Sequence, residues 1–401
     1  MRALSLPAIA RPQWRIEAVR ARALASPLVL WLSAITLAGL ALRLFWVFYT
    51  DTIPLGGDPH WYYVVGINVA KGFGFVASRN ELWEIPGPGQ PTAFWPPGYP
   101  FALGALFKLG GVSITSAQVL NAVLSALTIP IVYALGRELF SRNVGLVSAG
   151  LFALFPNVIF GVPLLFPEPL FGLIFIGALW LLVARLGKPD EARWAVAGFG
   201  LLAGLAMLTR GQGAVLLPIA AIYWLGRSGW RPALGGTAIA TLAAIAIIAP
   251  WTARNAVELR AFIPISTNSG AALRVGHNED SIGTTKWTRE EIDGFRMWES
   301  PYRPEWEVTG YREYTDRAID YALTHPVREV ELSGLKIYHL YRSDSTQIPF
   351  LTTLGATPLR PAGLEDAMRL LLDYAWYALA FAATLLLPFW VRRDANGLLL
   401  V

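Results

Sequence analysis

The chain has 401 residues, 54% of them hydrophobic and only 15% charged, where a soluble protein carries about a quarter charged; sixteen Trp and twenty Phe point to lipid and its interface. The formal charge of +5 is modest and its basic residues lie in short groups, which argues against a nucleic-acid-binding stripe. With no cysteine, disulfides, zinc-thiolate sites and thiol nucleophiles are excluded.

The basic lead-in, residues 1–27, is long, and the apolar run after it is long enough to span a bilayer. It reads as a retained anchor rather than a cleaved signal. Eight apolar runs qualify as spans: Leu28–Tyr49, Ile114–Leu135, Val144–Val162, Pro169–Ala184, Trp194–Leu208, Gly213–Leu225, Ala233–Trp251 and Met368–Val391. Charge orients them. Arg2, Arg11, Arg15, Arg20 and Arg22, then Arg137 and Arg142, Arg185, Lys188 and Arg193, Arg227 and Arg231, and Arg392 and Arg393 fall on alternate turns. These turns read as cytoplasmic. Two large segments are thereby outside, 50–113 and 252–366. The expected organisation is a cytoplasmic N-terminus (1–27), a core of seven helices (28–251) carrying the outer loop 50–113, an extracytoplasmic mixed domain (252–366), and a last helix with its tail (367–401).

In the first outer segment, His60–Lys71 reads as an interfacial helix with Trp61, Val64, Val65 and Val69 on its apolar side. The Pro/Gly-rich stretch "PGPGQPTAFWPPGYP" follows as a turn. Phe101–Leu109 is too short to span and fits an interfacial or re-entrant helix. The second outer segment starts irregular and ends helical, with Tyr311, Tyr314, Ala318, Tyr321 and Ala322 at helical spacing. Pro326 breaks that run. No Gly-rich nucleotide loop, no metal-binding His-Glu motif and no serine elbow is present.

Charges near a membrane are costly and need a reason. Asp58, in "IPLGGDPHWYYV", is either turn chemistry and a helix cap or a functional carboxylate. Glu168, in "FPEPLFGLIF", opens a span, where an acid favours the helix dipole; it also lies on the same membrane face as Asp58. Arg210 breaks the pattern of basic-poor outer turns, and Arg254 follows the seventh span. Both either snorkel to head groups or contact a phosphate. Arg43, inside the first span, either snorkels or pairs with an acid. His277 beside acids is weak evidence for a metal.

Several segments together resemble the polytopic GT-C glycosyltransferases of family 39 type, whose members include protein O-mannosyltransferases and lipid A aminoarabinose transferases. They are "GGDPHWYYVVGINVAKGFGF", "FWPPGYPFALGALFKLGG", "LLFPEPLFGLIFI", "GLAMLTRGQGAVLLP" and "APWTARNAVELRAFIPISTNSGAALRVGHN". The resemblance covers most of 28–278. It implies an all-α polytopic GT-C-like fold of about eight transmembrane helices. It implies sugar transfer from a polyprenyl-phosphate donor to an acceptor hydroxyl on a protein, glycolipid or polysaccharide. Asp58 would be the general base and Glu168 a second acidic site. Arg210, Arg254 and Arg43 would bind the donor phosphate. His60, Tyr99, Asn255, Asn268 and His277, which lie in the matching motifs, would contact substrate. No cofactor is required; Asp58 and Glu168 are the pair that would hold a divalent metal. Two departures stand out: Pro59 follows Asp58 where relatives often have Glu, and Arg210 stands where many have Lys. Relatives often carry more spans, so the chain reads as ending early, at "NGLLLV". The expected location is a bacterial plasma membrane with the site facing outside. The rival class is a transporter or flippase without transfer chemistry, whose charges should sit near mid-membrane. A third reading is an assembly partner that docks through its outer domain.

Overall fold

The computed structural model describes residues 27–50, 57–78, 86–187, 193–284, 303–345, 348 and 363–393, with side chains to 385 in the last segment. The basic lead-in, Lys188, the side chains of Arg392 and Arg393, and the tail "NGLLLV" lie outside the described residues.

All eight apolar runs fall on helices. The first is α1 (Pro27–Tyr49). After it, α2 (Gly57–Ala70), strands β1 (Val76–Ser78) and β2 (Gly89–Pro91), and α3 (Gly98–Gly110) lie in the segment 50–113. The second run is α4 (Ile114–Leu139), started by Ser113, whose hydroxyl accepts the Ser116 N–H. The third is α5 (Arg142–Leu154), capped in the same way by Ser141, and then α6 (Pro156–Phe160). Pro156 divides that run, because the residue before a proline leaves helical geometry; Phe155 is extended. Then come α7 (Glu168–Arg185), α8 (Arg193–Thr209), a 3₁₀ turn (Gly211–Val215), α9 (Leu216–Ser228) and α10 (Trp230–Glu258). Pro250 lies inside α10 without ending it, so that helix runs past its expected end at Trp251.

Of these helices, α1, α4, α7 and α10 are long and apolar enough to cross a membrane, and α5 and α8 are shorter apolar helices. Leu30, Trp31, Leu37, Phe45 and Phe48 of α1 are exposed, a surface that suits lipid better than water. The chain is an integral membrane protein on these grounds. Between lipid-solvated helices there is little hydrophobic drive to associate, so close backbone approach matters. The α8–α10 contact, the most extensive among the described elements, uses it. A Cβ on Gly200 would lie 2.2 Å from the Ala240 carbonyl oxygen, and one on Gly204 2.8 Å from that of Ala244.

The segment 50–113 differs from expectation in one respect. Helix α2 is not a one-sided raft: Trp61, Tyr62, Val64, Val65, Gly66, Ile67 and Asn68 are all buried. It packs on α3, where Gly66 and Gly104 let the two helices touch, and its Asn68 amide donates to the Val76 carbonyl of β1. β1 and β2 pair antiparallel, Val76 opposite Pro91.

In the segment 252–366, α11 (Asn268–Gly276) packs on α12 (Pro304–Thr324). The run breaks at His325 and resumes as α13 (Pro326–Arg342), as Pro326 predicts. Among the described residues, the only strands are β1 and β2, and those of 252–366 are helix and turn. The last helix is α14 (Leu364–Arg393).

Candidate active site

A cavity of about 960 Å³ opens where helix ends from segments 50–113 and 252–366 meet the apolar helices. Asp58, Glu168 and Arg210 all line it, and each stands at a helix terminus.

Asp58 occupies the first turn of α2. The preceding Gly57 has φ +58°, a left-handed conformation that glycine adopts without strain. The following Pro59 falls where a helix needs no N–H donor. Gly57-Asp58-Pro59 is thus a helix-starting device, which gives the unusual Pro59 a structural reason. Burial pushes the Asp58 carboxyl up to about 6; the neighbouring Glu168 charge adds to the rise and Arg210 opposes it.

Glu168 opens α7 and forms an ion pair with Arg210. The loop leading to it is clasped by α4. The Gln118 amide donates to the Pro163 carbonyl at 3.1 Å, and the Asn121 amide to that of Leu164 at 3.0 Å. Arg210 follows α8 and stays on its helix through an N–H bond to the Ala206 carbonyl. Two glycine contacts fix the spot: Cβ atoms on Gly98 and Gly213 would meet the backbone of Leu208 and Ala206 at 2.9 Å and 2.5 Å. Among the described residues Arg210 Nη2 meets no acceptor; Nη1 holds Glu168 and Nε reaches Gln212 at 3.5 Å.

Tyr62, one turn beyond Asp58, and Trp95 complete the aromatic wall, with ring centroids 5.7 Å apart. Burial first, then the two acids, raise the Tyr62 phenol well above its ordinary value, so it remains a hydroxyl. Gly172 and Ile176 of α7, Phe152, and Ser125 and Thr128 of α4 extend the cavity along the membrane helices. On the far side, Asn268, Ser269, Ala272, Leu273, Gly276 and His277 present one face of α11 and its end.

The remaining candidates separate. Asn268 and His277 line the cavity. Tyr99 does not: it is fully buried and donates its hydroxyl to Asn121 Oδ1 at 3.0 Å, so it supports the clasp behind Glu168. His60 is half-buried on α2 and outside the cavity lining; burial lowers its pKa. Asn255 is fully buried and donates to the Ile263 carbonyl at 3.0 Å. Arg254 donates to the carbonyls of Thr92 at 2.8 Å and Phe75 at 2.6 Å and stacks over Trp251. It ties α10 to the segment 50–113 instead of facing the cavity. Arg43 does not snorkel, and among the described residues it meets no acid. It is 0% exposed, and it donates to Ser125 Oγ, the Gly39 and Ala153 carbonyls at 2.8–2.9 Å, and the Phe152 carbonyl at 3.2 Å. These bonds knit α1, α4 and α5 together.

Sequence reasoning missed Tyr62, Trp95, Gln212 and Lys336 of the lining, and Glu307 behind it. The buried Glu307 carboxylate accepts from Thr92 Oγ1, the Ala93 N–H and Thr267 Oγ1 at 2.7–2.8 Å. With the Asn268 N–H bonded to the Phe94 carbonyl, it sets Trp95 against the start of α11. No group of three or more His, Asp or Glu gathers among the described residues. A divalent ion at this site would rest on Asp58 and Glu168, with substrate oxygens or water completing its shell, an arrangement Mg²⁺ accepts.

A family model described as dolichyl-phosphate-mannose-protein mannosyltransferase matches residues 95–253. An undecaprenyl phosphate-α-4-amino-4-deoxy-L-arabinose arabinosyl transferase of Pseudomonas aeruginosa (strain LESB58) is 32% identical over 148 residues, 35% of this chain and 27% of that protein. The chain therefore spans about a quarter of the length of the curated relative it matches. Both findings agree with the resemblance to polytopic GT-C glycosyltransferases read from the motifs. Among solved structures, an oligosaccharyltransferase of Archaeoglobus fulgidus in complex with zinc and sulfate aligns at TM-score 0.44 and 16% identity over 90% of this chain and 40% of that one. An Archaeoglobus fulgidus oligosaccharyltransferase with an inhibitory peptide and a dolichol phosphate aligns at 0.45 and 14%, over 92% and 38%. Likeness of that degree supports no functional argument.

Proposed function

We propose that the protein is a membrane glycosyltransferase that moves a sugar from a polyprenyl-phosphate donor to an acceptor hydroxyl, with inversion at the anomeric carbon. The observation that carries this reading is the meeting of Asp58, Glu168 and Arg210 in one cavity whose wall also includes apolar side chains, Val158, Val162, Phe166 and Ile176 among them. A lipid-linked sugar phosphate has the same two-part character.

Asp58 takes the proton of the acceptor hydroxyl as its oxygen bonds to the anomeric carbon. A carboxylate at about 6 is ionised at neutral pH yet more basic than an exposed aspartate, as a general base should be. The bond from the anomeric carbon to the phosphate oxygen breaks, and the electron pair leaves on polyprenyl phosphate. Arg210, with Nη2 turned to no protein acceptor among the described residues, meets that growing charge. Glu168 holds Arg210 in place and keeps the Asp58 carboxyl basic. The reaction needs no nucleotide and no obligatory metal. Acceptor candidates are a protein, a glycolipid or a polysaccharide.

The positive-inside pattern supports eight crossings, residues 1–27 inside, and the segments 50–113 and 252–366 outside as the cavity's roof. This puts the reaction on the outer face of a bacterial plasma membrane. A transporter would carry its charges on broken helices at mid-membrane; here they stand at the first turn of α2, the start of α7 and the end of α8.

The test is transfer by purified protein from a panel of polyprenyl-phosphate sugars. Wild-type transfer that Asp58→Asn loses supports the reading, and undiminished transfer by the variant removes Asp58 as the base.

A further inference from the structure

The cavity has a second cationic group, away from the acids. Lys336 of α13 lines it, and Nζ lies 3.4 Å from His277 Nε2. On the other side of that ring, Nδ1 is 2.8 Å from Glu329 Oε2. The network assigns the tautomer: Nδ1–H donates to Glu329, and Nε2 accepts from the ammonium. Glu329 and Lys336 are two turns apart on one face of α13, so a single helix supplies both ends of the relay. Lys336 also packs on the end of α11, since a Cβ on Gly276 would sit 3.5 Å from Nζ.

Lys336 differs from Arg210 in its balance of charge. Arg210 is held by a carboxylate. The ammonium of Lys336 has three donors, and among the described residues it meets one acceptor, a neutral ring nitrogen, with no carboxylate within ion-pair distance. Its position is offset as well. α11 runs along the wall from Asn268, bonded to Phe94 beside Trp95, to His277. At 1.5 Å per residue that is roughly 13 Å of helix. Trp95 touches Tyr62, whose phenol feels Asp58 and Glu168. The acids thus lie toward the start of α11 and Lys336 lies at its end.

We propose that Lys336, held by His277 and Glu329, is an anion-binding subsite of the cavity that takes a phosphate or carboxylate group of a substrate. That the anion belongs to a substrate rests on the transferase reading; the subsite itself does not. Two sources supply such an anion: an acidic group on the acceptor, or the phosphate of the polyprenyl donor seated before transfer.

The test is binding without turnover. Titration of detergent-solubilised protein with inorganic phosphate and with undecaprenyl phosphate, read by tryptophan fluorescence, is expected to show phosphate binding that Lys336→Gln weakens about tenfold or more and Lys336→Arg retains. If the donor phosphate is the ligand, undecaprenyl phosphate binding weakens equally and the two probes compete. If the acceptor supplies it, undecaprenyl phosphate binding is unchanged and inorganic phosphate still binds in its presence. A second measurement needs no variant: either probe should slow acylation of Lys336 by an amine reagent, followed by peptide mass. Equal binding of inorganic phosphate and of undecaprenyl phosphate by wild type and Lys336→Gln, or acylation that neither probe slows, overturns the subsite. Either result can occur with transfer activity intact or absent, so failure here is separate from failure of the transferase reading.

Discussion

Arg210 and Arg43 are the same residue in the same kind of surroundings, an apolar helical protein, and they have opposite environments. Arg43 lies within α1 and is 0% exposed, its guanidinium turned to a hydroxyl and three backbone carbonyls from three helices. Arg210 lies just past the end of α8, paired with one carboxylate and facing an open cavity. Arg254 sides with Arg43, since Thr92 and Phe75 carbonyls take its fork. What separates a tie from a site is the acceptor. Carbonyls of packed helices hold a guanidinium permanently. A carboxylate at a cavity edge holds it in position and leaves donors for a ligand.

Substitutions can break this comparison. The largest expected effect is at the cavity acid: Asp58→Asn should lower transfer about 10²–10⁴-fold with an unchanged melting temperature, because Asp58 heads a helix whose core is Trp61, Tyr62, Val64 and Val65. Steady-state transfer and a thermal melt on the same sample check both halves. Arg43→Ala should do the reverse. Loss of a buried guanidinium with four bonds should destabilise the helix bundle by about 3 kcal/mol, seen as a lower melting temperature, while the folded fraction keeps its donor KM. A raised donor KM at unchanged stability would move Arg43 into the site. Gly200→Leu sharpens the structural side. With 2.2 Å between a new Cβ and the Ala240 carbonyl, α8 and α10 must separate. The overpacking should cost about 1–3 kcal/mol, and detergent-resistant folding should fall without any change in the pH profile of the remaining activity.

The apolar helices were legible because a helix that meets lipid must be apolar whatever surrounds it. Asp58, Glu168 and Arg210 stood out for the same reason: in an apolar chain a charge is conspicuous. Most partners of Arg43 and Arg254 did not, because they are backbone carbonyls, which every residue has and no residue type announces. Lys336 and Glu307 were hidden for another reason. They belong to α12 and α13, charge-rich helices where one more Lys or Glu carries no signal, and they reach their partners across long sequence separations. Helix α11 was missed because "NSGAALRVG" is short and its apolar positions are small. The raft expected at α2 failed because α3 and the β-hairpin cover the face that the pattern left to solvent.

The smallest predicted effect is the finest test of how the cavity charges act on one another. The Asp58 carboxyl is at about 6 because burial raises it, the Glu168 charge raises it further, and Arg210 lowers it. A general base works when ionised, so transfer should rise with pH through that value and level off above it. Glu168→Gln removes a charge that disfavours the Asp58 carboxylate, so the acidic limb of kcat/KM should move to lower pH. Arg210→Gln removes one that favours it, so the limb should move to higher pH, on top of a fall in the plateau from the lost phosphate contact. Lys336→Gln, at the far end of α11, should leave the limb where it is. Opposite shifts from the two members of one ion pair are hard to obtain from a general loss of structure, which would move both the same way. A limb that stays at one pH in both variants would mean that the titrating group is not Asp58.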